Sequence, residues 1–290
     1  GAAVDIDGDH IVVGAPYDDV STSVDRGTAV IFERTPTGWT YLTELVPLSA
    51  SAGDHFGWAV SVYGTTAVVG APLDDDLATD SGAFYVFREG EASPMKHVTA
   101  SSGTGGEYGY AVDVHGNYMV ASAPLADNGS IVGAGVVKVY YGDGVTPWTI
   151  NRTIYSSNPH ANDGFGHAVS TNGGTIIAGI SGYDASGQQS AGGAEVFVRS
   201  GSGTSAVWPS TQLLTSPEPN AYDYFGWSVS INGSVAIVGA EWDGDAEQGS
   251  AHVYEAGPAG CTLSQKINGN GWFGTSVAAS HEGRFVVGAM

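Results

Sequence analysis

The sequence has 290 residues, with 30 Asp and Glu against 9 Lys and Arg, which gives a formal net charge of −21. This charge argues against nucleic acid and anionic membrane surfaces as partners, because a polyanion would be repelled and there is no basic stripe to release its counterions. The hydrophobic share of 42% predicts a folded core, and there is no apolar run of about 18 residues that could span a membrane.

One segment recurs six times along the chain. Each copy opens with an aromatic residue followed by glycine and closes with a triplet similar to Gly-Ala-Pro. The openings are Gly1 (the glycine alone), Phe56-Gly57, Tyr108-Gly109, Phe165-Gly166, Phe225-Gly226 and Phe273-Gly274. The closings begin at Gly14, Gly70, Ser122, Gly179, Gly239 and Gly288. A period near 55 residues with variable loops indicates a repeat architecture.

Each copy predicts an antiparallel pair of strands, A and B. In the first five copies the two halves are separated by a residue and a glycine, which supplies the positive φ of a tight hairpin turn. These turns are Asp7-Gly8, Tyr63-Gly64, His115-Gly116, Asn172-Gly173 and Asn232-Gly233. In the sixth copy a slightly longer turn includes Gly283.

Two further strands, C and D, follow each of the first five copies. Strand C runs from a glycine to an aromatic residue: Gly27 to Phe32, Gly82 to Phe87, Gly135 to Tyr140, Gly192 to Phe197 and Gly249 to Tyr254. Strand D is marked by Trp39 to Leu45, Trp148 to Ile154, Trp208 to Leu214 and Cys261 to Ile267, whereas the second copy lacks the Trp. These positions predict that Cys261, the one cysteine, is buried.

Four antiparallel strands per period predict an all-β β-propeller, in which each sheet is a blade packed between two neighbours. A parallel solenoid would need no hairpin inside every repeat. We predict a single propeller domain over 1–290, with blades at about 1–50, 51–102, 103–159, 160–218 and 219–268 and an A–B hairpin at 269–290.

The aromatic-glycine opening and Gly-Ala-Pro closing resemble the FG-GAP repeats of integrin α-subunit propellers, and the resemblance covers nearly the whole chain. It implies a ring of six or seven blades, completed by a longer chain or by strands from another segment or chain. Integrin blades that bind calcium have an acidic loop inside the A–B hairpin. Here that place holds a two-residue turn, and the nearest residues are Asp5, Asp7 and Asp9. The sequence is thus closer to the short-hairpin branch of the family.

Carboxylates cluster in the connections that should share one face of the ring, those between D and A and between B and C. Carboxylate oxygens suit hard cations, so a Ca²⁺ cofactor is one hypothesis. The alternative is that each aspartate hydrogen-bonds its own loop backbone. The metal candidates are Asp74, Asp75, Asp76 and Asp80, with Asp18, Asp19, Asp243 and Asp245 as further members.

Aromatic side chains accompany these carboxylates and could stack on sugars or anchor a peptide, although such rings often fill the wedges between blades. The predicted ligand-binding face comprises Asp54, His55, Trp58, Asp163, Asp223, Tyr224 and Trp242. Further candidates on this rim are Tyr17, Tyr183, Tyr222 and Trp272.

No catalytic residue is predicted, because the histidines are scattered and no zinc, nucleophile-elbow or phosphate-loop motif is present. A polysaccharide lyase would use His55 or His167, which lie beside aromatic-glycine elements. Three Asn-x-Ser/Thr motifs fit glycosylation acceptors: Asn128, Asn151 and Asn232.

These observations favour an extracellular or cell-surface propeller that mediates macromolecular contact, as in adhesion or a surface assembly, with a protein or glycan partner and possible help from cations. The alternatives are a lectin-like glycan-binding module, a self-associating structural subunit of an extracellular fibre, and a polysaccharide lyase. A rigid ring that displays variable loops supports contact functions in general.

Overall fold

The computed structural model describes residues 1–47, 49–99, 105–144, 147–244, 248–257 and 260–290. Strands alternate with tight turns, and two short 3-10 turns (Ala185–Gly187 and Gly203–Ser205) interrupt the loops. No helix among these residues is long and apolar enough to cross a membrane.

The strands group into sheets in chain order. The first sheet has β1 (Ala3–Asp7), β2 (His10–Ala15), β3 (Thr28–Thr35) and β4 (Gly38–Leu45). The second has β5 (Val60–Tyr63), β6 (Thr66–Ala71), β7 (Ala83–Arg88) and β8 (Lys96–Thr99). The third has β9 (Val112–His115), β10 (Tyr118–Ala123), β11 (Val136–Tyr141) and β12 (Thr149–Ile154). The fourth has β13 (Phe165–Thr171), β14 (Thr175–Ile180), β15 (Gly193–Val198) and β16 (Ser210–Leu214). The fifth has β17 (Ser228–Asn232), β18 (Val235–Ala240), β19 (Gln248–Gly257) and β20 (Gly260–Asn270), and the sixth has β21 (Ser276–Ala279) and β22 (Phe285–Gly288).

Each of the first five sheets is a four-stranded antiparallel meander, and the sixth is a two-stranded hairpin, within the described ranges. The predicted fold class is therefore confirmed. The glycines of the predicted hairpin turns have positive φ, as at Gly64 and Gly116. Cys261 is buried at the start of β20, and burial raises the pKa of its thiol to about 11.

The six sheets are arranged around an axis. The first strands contact one another in sequence, β1 with β5, β5 with β9, β9 with β13, β13 with β17 and β17 with β21. They line a common central cavity of about 510 Å³, to which every sheet contributes. Residues that represent the six sheets there are Asp5, Val62, Asp113, Ser170, Ser230 and Ala278. Units stacked along a line could not share one cavity in this way.

A belt of hydrogen bonds joins each first strand to the next. One polar side chain per strand accepts a hydrogen bond from a backbone N–H of the following strand. The pairs are Asp5 with Val62 N–H (2.8 Å), Ser61 with Val114 N–H (3.2 Å), Asp113 with Thr171 N–H (2.6 Å), Ser170 with Ile231 N–H (3.1 Å) and Ser230 with Ala279 N–H (3.0 Å). The sixth strand has Ala278 at the same position, whose side chain cannot accept a hydrogen bond. We call this set the belt.

The motif glycines meet between neighbouring sheets. A Cβ atom on Gly70, from the closing triplet of the second sheet, would lie 2.0 Å from the carbonyl oxygen of Gly109, from the opening of the third. Gly14 meets Gly57 at the same distance, and Gly179 and Gly239 meet Gly226 and Gly274 in the same way. The two ends of the motif recur together because they form the two sides of one backbone-to-backbone contact.

Substitution at this contact should destabilise the ring. We expect Gly70→Ala to lower the free energy of unfolding by about 2 kcal/mol, because the new methyl group would overlap a backbone oxygen that cannot move alone. Urea denaturation measures the change. Gly106→Ala is the control, since its Cβ would be 3.7 Å from the nearest atom. An equal loss in both variants would contradict the role of the contact.

The motif aromatics fill the interior of the sheets rather than the surface. Phe56, Tyr108, Phe165 and Phe225 are almost completely buried. Phe56 lies edge-on to Tyr85, with ring centroids 5.3 Å apart. Each aromatic thereby anchors the start of its sheet to the third strand.

The outer face of the first sheet differs from the corresponding faces of the others. Val4 and Ile6 on β1 are 68% and 55% exposed, whereas their equivalents Val60 and Val62 on β5 are buried. Val286 on β22 is also exposed. The described residues place no further sheet against the outer face of β1.

Candidate ligand-binding rim

The connections between D and A and between B and C lie on one face of the ring, as the sequence predicts. Backbone hydrogen bonds join the D–A loops before the second to fifth sheets to the B–C loop of the preceding sheet, for example from His55 N–H to Asp25 O (3.3 Å) and from Glu107 N–H to Asp80 O (3.2 Å). The same contact recurs from Tyr224 N–H to Ser190 O (3.2 Å). We call this face the loop face.

Three predicted ligand-face aspartates have a structural role. Asp54, Asp163 and Asp223 are 2 to 3% exposed, and each accepts a hydrogen bond from the backbone N–H three residues earlier, at 2.5 to 2.7 Å. Burial raises the pKa of all three carboxyl groups. They brace the D–A loops, so the prediction that they face a ligand is wrong.

A second set of aspartates braces the B–C loops. Asp19, Asp75, Asp127 and Asp184 each accept a hydrogen bond from a backbone N–H five or six residues later. The donors are Asp25, Asp80, Gly133 and Ser190, all of which have positive φ. The carboxylate thus holds a left-handed residue in place, and the recurrence of these aspartates has a structural cause.

The remaining metal candidates contact different groups of the protein. Asp18 is exposed and accepts from the Thr28 hydroxyl, and Asp243 is buried with Lys266 Nζ 2.8 Å away. Asp245 lies outside the described residues. Asp74 and Asp76 approach His97, whereas Asp75 and Asp80 bond to each other through a carboxylate and a backbone N–H. A four-aspartate site is therefore not assembled.

Nine aromatic and histidine side chains form a continuous arc on the loop face, from the first sheet to the sixth. Neighbouring ring centroids are 4.3 to 6.4 Å apart. We call this set the aromatic arc; its members are Tyr17, His55, Trp58, Tyr110, His167, Trp227, Tyr224, Trp242 and Trp272. Tyr17, at one end of the arc, and Trp242, next to the other end, are 60% and 43% exposed, so solvent reaches the arc at these two rings.

The backbone before each motif aromatic directs side chains onto the arc. His55, Glu107, Tyr224 and Trp272 have positive φ of 51 to 57°, a conformation that is unfavourable for residues with a Cβ. Gly164 occupies the same position in the fourth sheet. The strained backbone conformation thus occurs where a side chain joins the rim, and such strain is typical of functional surfaces.

Two glutamates add negative charge to the arc. Burial raises the pKa of Glu107, and the negative charge of Asp80 raises it further. Burial also raises the pKa of Glu241, whose Oε2 accepts a hydrogen bond from the Thr275 hydroxyl at 3.2 Å. The charges of both glutamates contribute, after burial, to raising the pKa of Tyr110 to about 12. Glutamates from the loops at the third and fifth sheets thus both act on the Tyr110 ring of the arc.

The two histidines of the lyase hypothesis are arc members. His167 Nδ1 is 3.1 Å from Trp227 O and its Nε2 is 3.4 Å from the Tyr110 hydroxyl, and burial lowers its pKa. His55 is stacked on Trp58, with centroids 6.0 Å apart. Both imidazoles therefore position neighbouring aromatic rings.

Among the predicted glycosylation motifs, Asn151 is buried. Its Nδ2 donates to Thr204 O at 2.9 Å, and its Oδ1 accepts from Trp208 Nε1 at 3.1 Å. The Asn151 side chain therefore has a structural role in the fold, in a place where an attached glycan would have to displace both hydrogen bonds. Asn128 and Asn232 are partly exposed, Asn128 in a B–C loop and Asn232 as the last residue of β17.

Sequence reasoning missed three residues of the rim: Tyr110, Trp227 and Glu241. The first two directly follow a motif glycine, as Trp58 does, and that shared position was the available signal. Glu241 replaces the proline of the closing triplet and has no such pattern. Of the two further rim candidates, Tyr222 lies beside the arc, 6.3 Å from Tyr224, and its hydroxyl donates to Gln189 Oε1 at 2.6 Å. Tyr183 instead contacts His160, with ring centroids 6.3 Å apart.

Comparison with protein families gives one match, to the FG-GAP repeat, at residues 39–87 and 208–254. Both matched segments run from the fourth strand of one sheet to the third strand of the next, and they confirm the predicted repeat. No curated protein matches the chain.

Several solved structures have a similar fold. A protein from Lactobacillus plantarum is 14% identical with a TM-score of 0.59, covering 96% of this chain and 74% of that one. A chain of a mitotic checkpoint complex is 13% identical with a TM-score of 0.58, covering 99% and 73%. A Bacteroides fragilis protein, provisionally assigned as a 6-phosphogluconolactonase, is 10% identical with a TM-score of 0.56, covering 90% and 68%. At these identities the likeness shows a shared β-propeller fold alone.

Proposed function

For a chain that carries FG-GAP repeats in a β-propeller fold, we propose that the protein is an extracellular binding module that contacts a macromolecular partner through the aromatic arc. The observation that carries the proposal is the continuity of the arc across six sheets on one face. Half-exposed Trp and Tyr rings supply large contact areas at low entropic cost, and they are enriched at binding hot spots.

The charge of the surroundings favours a basic partner. Glu107 and Glu241 lie around the arc, and the chain has a net charge of −21. Guanidinium and ammonium groups bind to aromatic faces and pair with carboxylates, whereas an acidic polysaccharide would be repelled. We therefore propose that the partner is a protein segment with exposed Arg or Lys side chains.

A neutral glycan is the second candidate. The exposed faces of Tyr17 and Trp242 favour it, because sugar rings stack on such surfaces. Binding of a glycan would depend little on salt, whereas binding of a basic segment would weaken as salt screens the charges.

Paired variants test the arc. We expect Tyr17→Ala and Trp242→Ala each to weaken partner binding about tenfold, since each removes an exposed ring worth roughly 1–2 kcal/mol. Tyr41→Ala and Trp39→Ala are matched controls, because these rings are 62% and 39% exposed on β4, away from the arc. Surface-immobilised protein titrated with oligoarginine peptide and with neutral oligosaccharide provides the measurement. Equal effects of arc and control variants would refute the proposed surface.

The alternative of a structural subunit predicts self-association through the exposed faces of the first and sixth sheets. Val4, Ile6 and Val286 are exposed there, and a further strand pair or a second chain would cover them. Sedimentation of the ligand-free chain at increasing concentration distinguishes the two functions, because the arc proposal requires no assembly of this protein with itself.

A further inference from the structure

A second polar cluster lies in the second sheet, outside the aromatic arc. Asp74 and Asp76 follow β6, and His97 lies on β8 opposite Tyr85 of β7. One carboxylate oxygen of each aspartate and a ring nitrogen of His97 lie within 4.8 Å of one another. His97 is stacked on Tyr85, with ring centroids 4.3 Å apart and an angle of 2° between the planes, so its orientation is fixed.

The distances from His97 Nε2 to the two carboxylates are too long for hydrogen bonds and fit ligands of a shared cation. His97 Nε2 is 3.7 Å from Asp76 Oδ2 and 3.9 Å from Asp74 Oδ2, too far for hydrogen bonds. The Nε2 atom is buried and has no hydrogen-bond partner among the described residues. Ligands about 2.0–2.2 Å from one cation stand roughly 3–4 Å apart, which is the separation seen here.

A buried carboxylate next to the cluster also lacks a partner. Asp54 is 2% exposed, and its Oδ1 accepts no hydrogen bond in the described part of the chain. Burial and then the charges of Asp74, Asp75 and Asp76 raise its pKa to about 6. No lysine or arginine in the described ranges forms a salt bridge with these four aspartates. Within the described ranges, the four carboxyl groups of this loop cluster therefore have no lysine or arginine as an ion-pair partner.

The fifth sheet shows how the same position is neutralised elsewhere. Asp243 corresponds to Asp74, and Lys266 Nζ lies 2.8 Å from its Oδ2. Lys266 lies opposite His252 in the strand register, just as His97 lies opposite Tyr85. Lys266 and His97 therefore occupy equivalent positions on the fourth strands of their sheets. The shorter histidine does not reach the carboxylates, and a cation between them would complete the arrangement.

We propose that Asp74 Oδ2, Asp76 Oδ2 and His97 Nε2 bind one divalent transition-metal cation of the Zn²⁺ or Mn²⁺ class. One imidazole with two carboxylates suits these ions, whereas Ca²⁺ takes six to eight oxygen ligands. The Tyr85 hydroxyl donates to Asp74 Oδ2 at 2.7 Å, and the Ser49 hydroxyl donates to Asp76 Oδ2. These hydroxyl groups orient the carboxylates as outer-shell partners do at metal sites. The proposal is independent of ligand binding at the arc.

Titration of the metal-free full chain with Zn²⁺, Mn²⁺ and Ca²⁺ by calorimetry tests the site. We expect one Zn²⁺ or Mn²⁺ per chain and binding weakened by at least about 100-fold in His97→Gln, more than the loss of an outer-shell partner causes. Asp75→Asn and His10→Gln are controls and should bind as the wild type does. The Asp75 carboxylate bonds to Asp80 N–H, and His10 Nε2 already lies 2.9 Å from Glu89.

A spectroscopic readout keeps the test decisive if a variant folds poorly. Co²⁺ added to the wild-type chain should give a visible ligand-field band with one nitrogen ligand, which Zn²⁺ displaces and which Asp76→Asn lacks. Absence of saturable Zn²⁺ and Mn²⁺ binding, binding of Ca²⁺ alone, or full affinity in His97→Gln would each overturn the proposal.

Discussion

Asp113→Ala should lower the free energy of unfolding by about 4 kcal/mol at pH 5. The Asp113 carboxyl group is the most connected member of the belt. It accepts hydrogen bonds from Ser61 Oγ (2.9 Å), Val114 N–H (2.9 Å), Ser170 Oγ (3.0 Å) and Thr171 N–H (2.6 Å). Alanine would leave buried donors without an acceptor, at about 1–3 kcal/mol for each group that water cannot reach.

Urea denaturation followed by tryptophan fluorescence measures this loss, and Asp9→Ala provides the control. Asp9 is an exposed carboxylate of the first hairpin, 3.6 Å from Arg34, and such surface pairs contribute at most about 1 kcal/mol. If Asp113→Ala unfolds at the urea concentration of the control, the belt does not hold the sheets together.

The destabilisation caused by Asp113→Asn should shrink by roughly 3 kcal/mol between pH 5 and pH 8. Burial, and then the charge of Asp5, raises the pKa of Asp113 to about 7 from its ordinary 3.8. The folded wild type therefore holds a proton that the unfolded chain releases between about pH 4 and pH 7. The proton on Asp113 therefore contributes to the free energy of unfolding, and this contribution is fully present below pH 4 and is lost as the pH rises through 7.

Comparison with the variant isolates this effect. Burial lowers the pKa of His115, His167 and His252, whose titration changes stability in the opposite direction but equally in both proteins. Asparagine does not titrate, so the difference between the two unfolding free energies should follow the titration of Asp113 together with its coupling to Asp5. A difference that stays constant from pH 5 to pH 8 would show that Asp113 titrates near its ordinary pKa.

The repeat was predictable because its cause is local. Glycines at hairpin turns and at the contacts between sheets are required by backbone geometry, and alternating apolar residues mark each strand. The belt was not predictable in the same way. Asp5, Ser61 and Asp113 stand at one strand position, but their acceptor role depends on the next strand, which lies more than 50 residues away in sequence.

The rim was predictable only in part. Its face followed from the strand order, and the structure places Tyr17, His55, Trp58, Tyr224, Trp242 and Trp272 on that face, whereas their contact with a ligand stays a prediction. The aspartates Asp54, Asp163 and Asp223 were misassigned because their side chains turn inward to accept backbone N–H groups, and sequence does not give that direction. An aspartate beside a glycine-rich loop fits a ligand and a loop brace equally well until its partners are known.

The arc proposal is tested most directly by the seven tryptophans of the chain, each of which has an indole N–H that NMR can resolve. Trp58, Trp227, Trp242 and Trp272 belong to the aromatic arc, whereas Trp39, Trp148 and Trp208 lie on or next to fourth strands of the sheets. When an oligoarginine peptide is added to protein labelled with ¹⁵N-tryptophan, we expect shifts confined to the first four signals. Shifts that fall on the other three, or on none, would contradict a binding surface on the loop face.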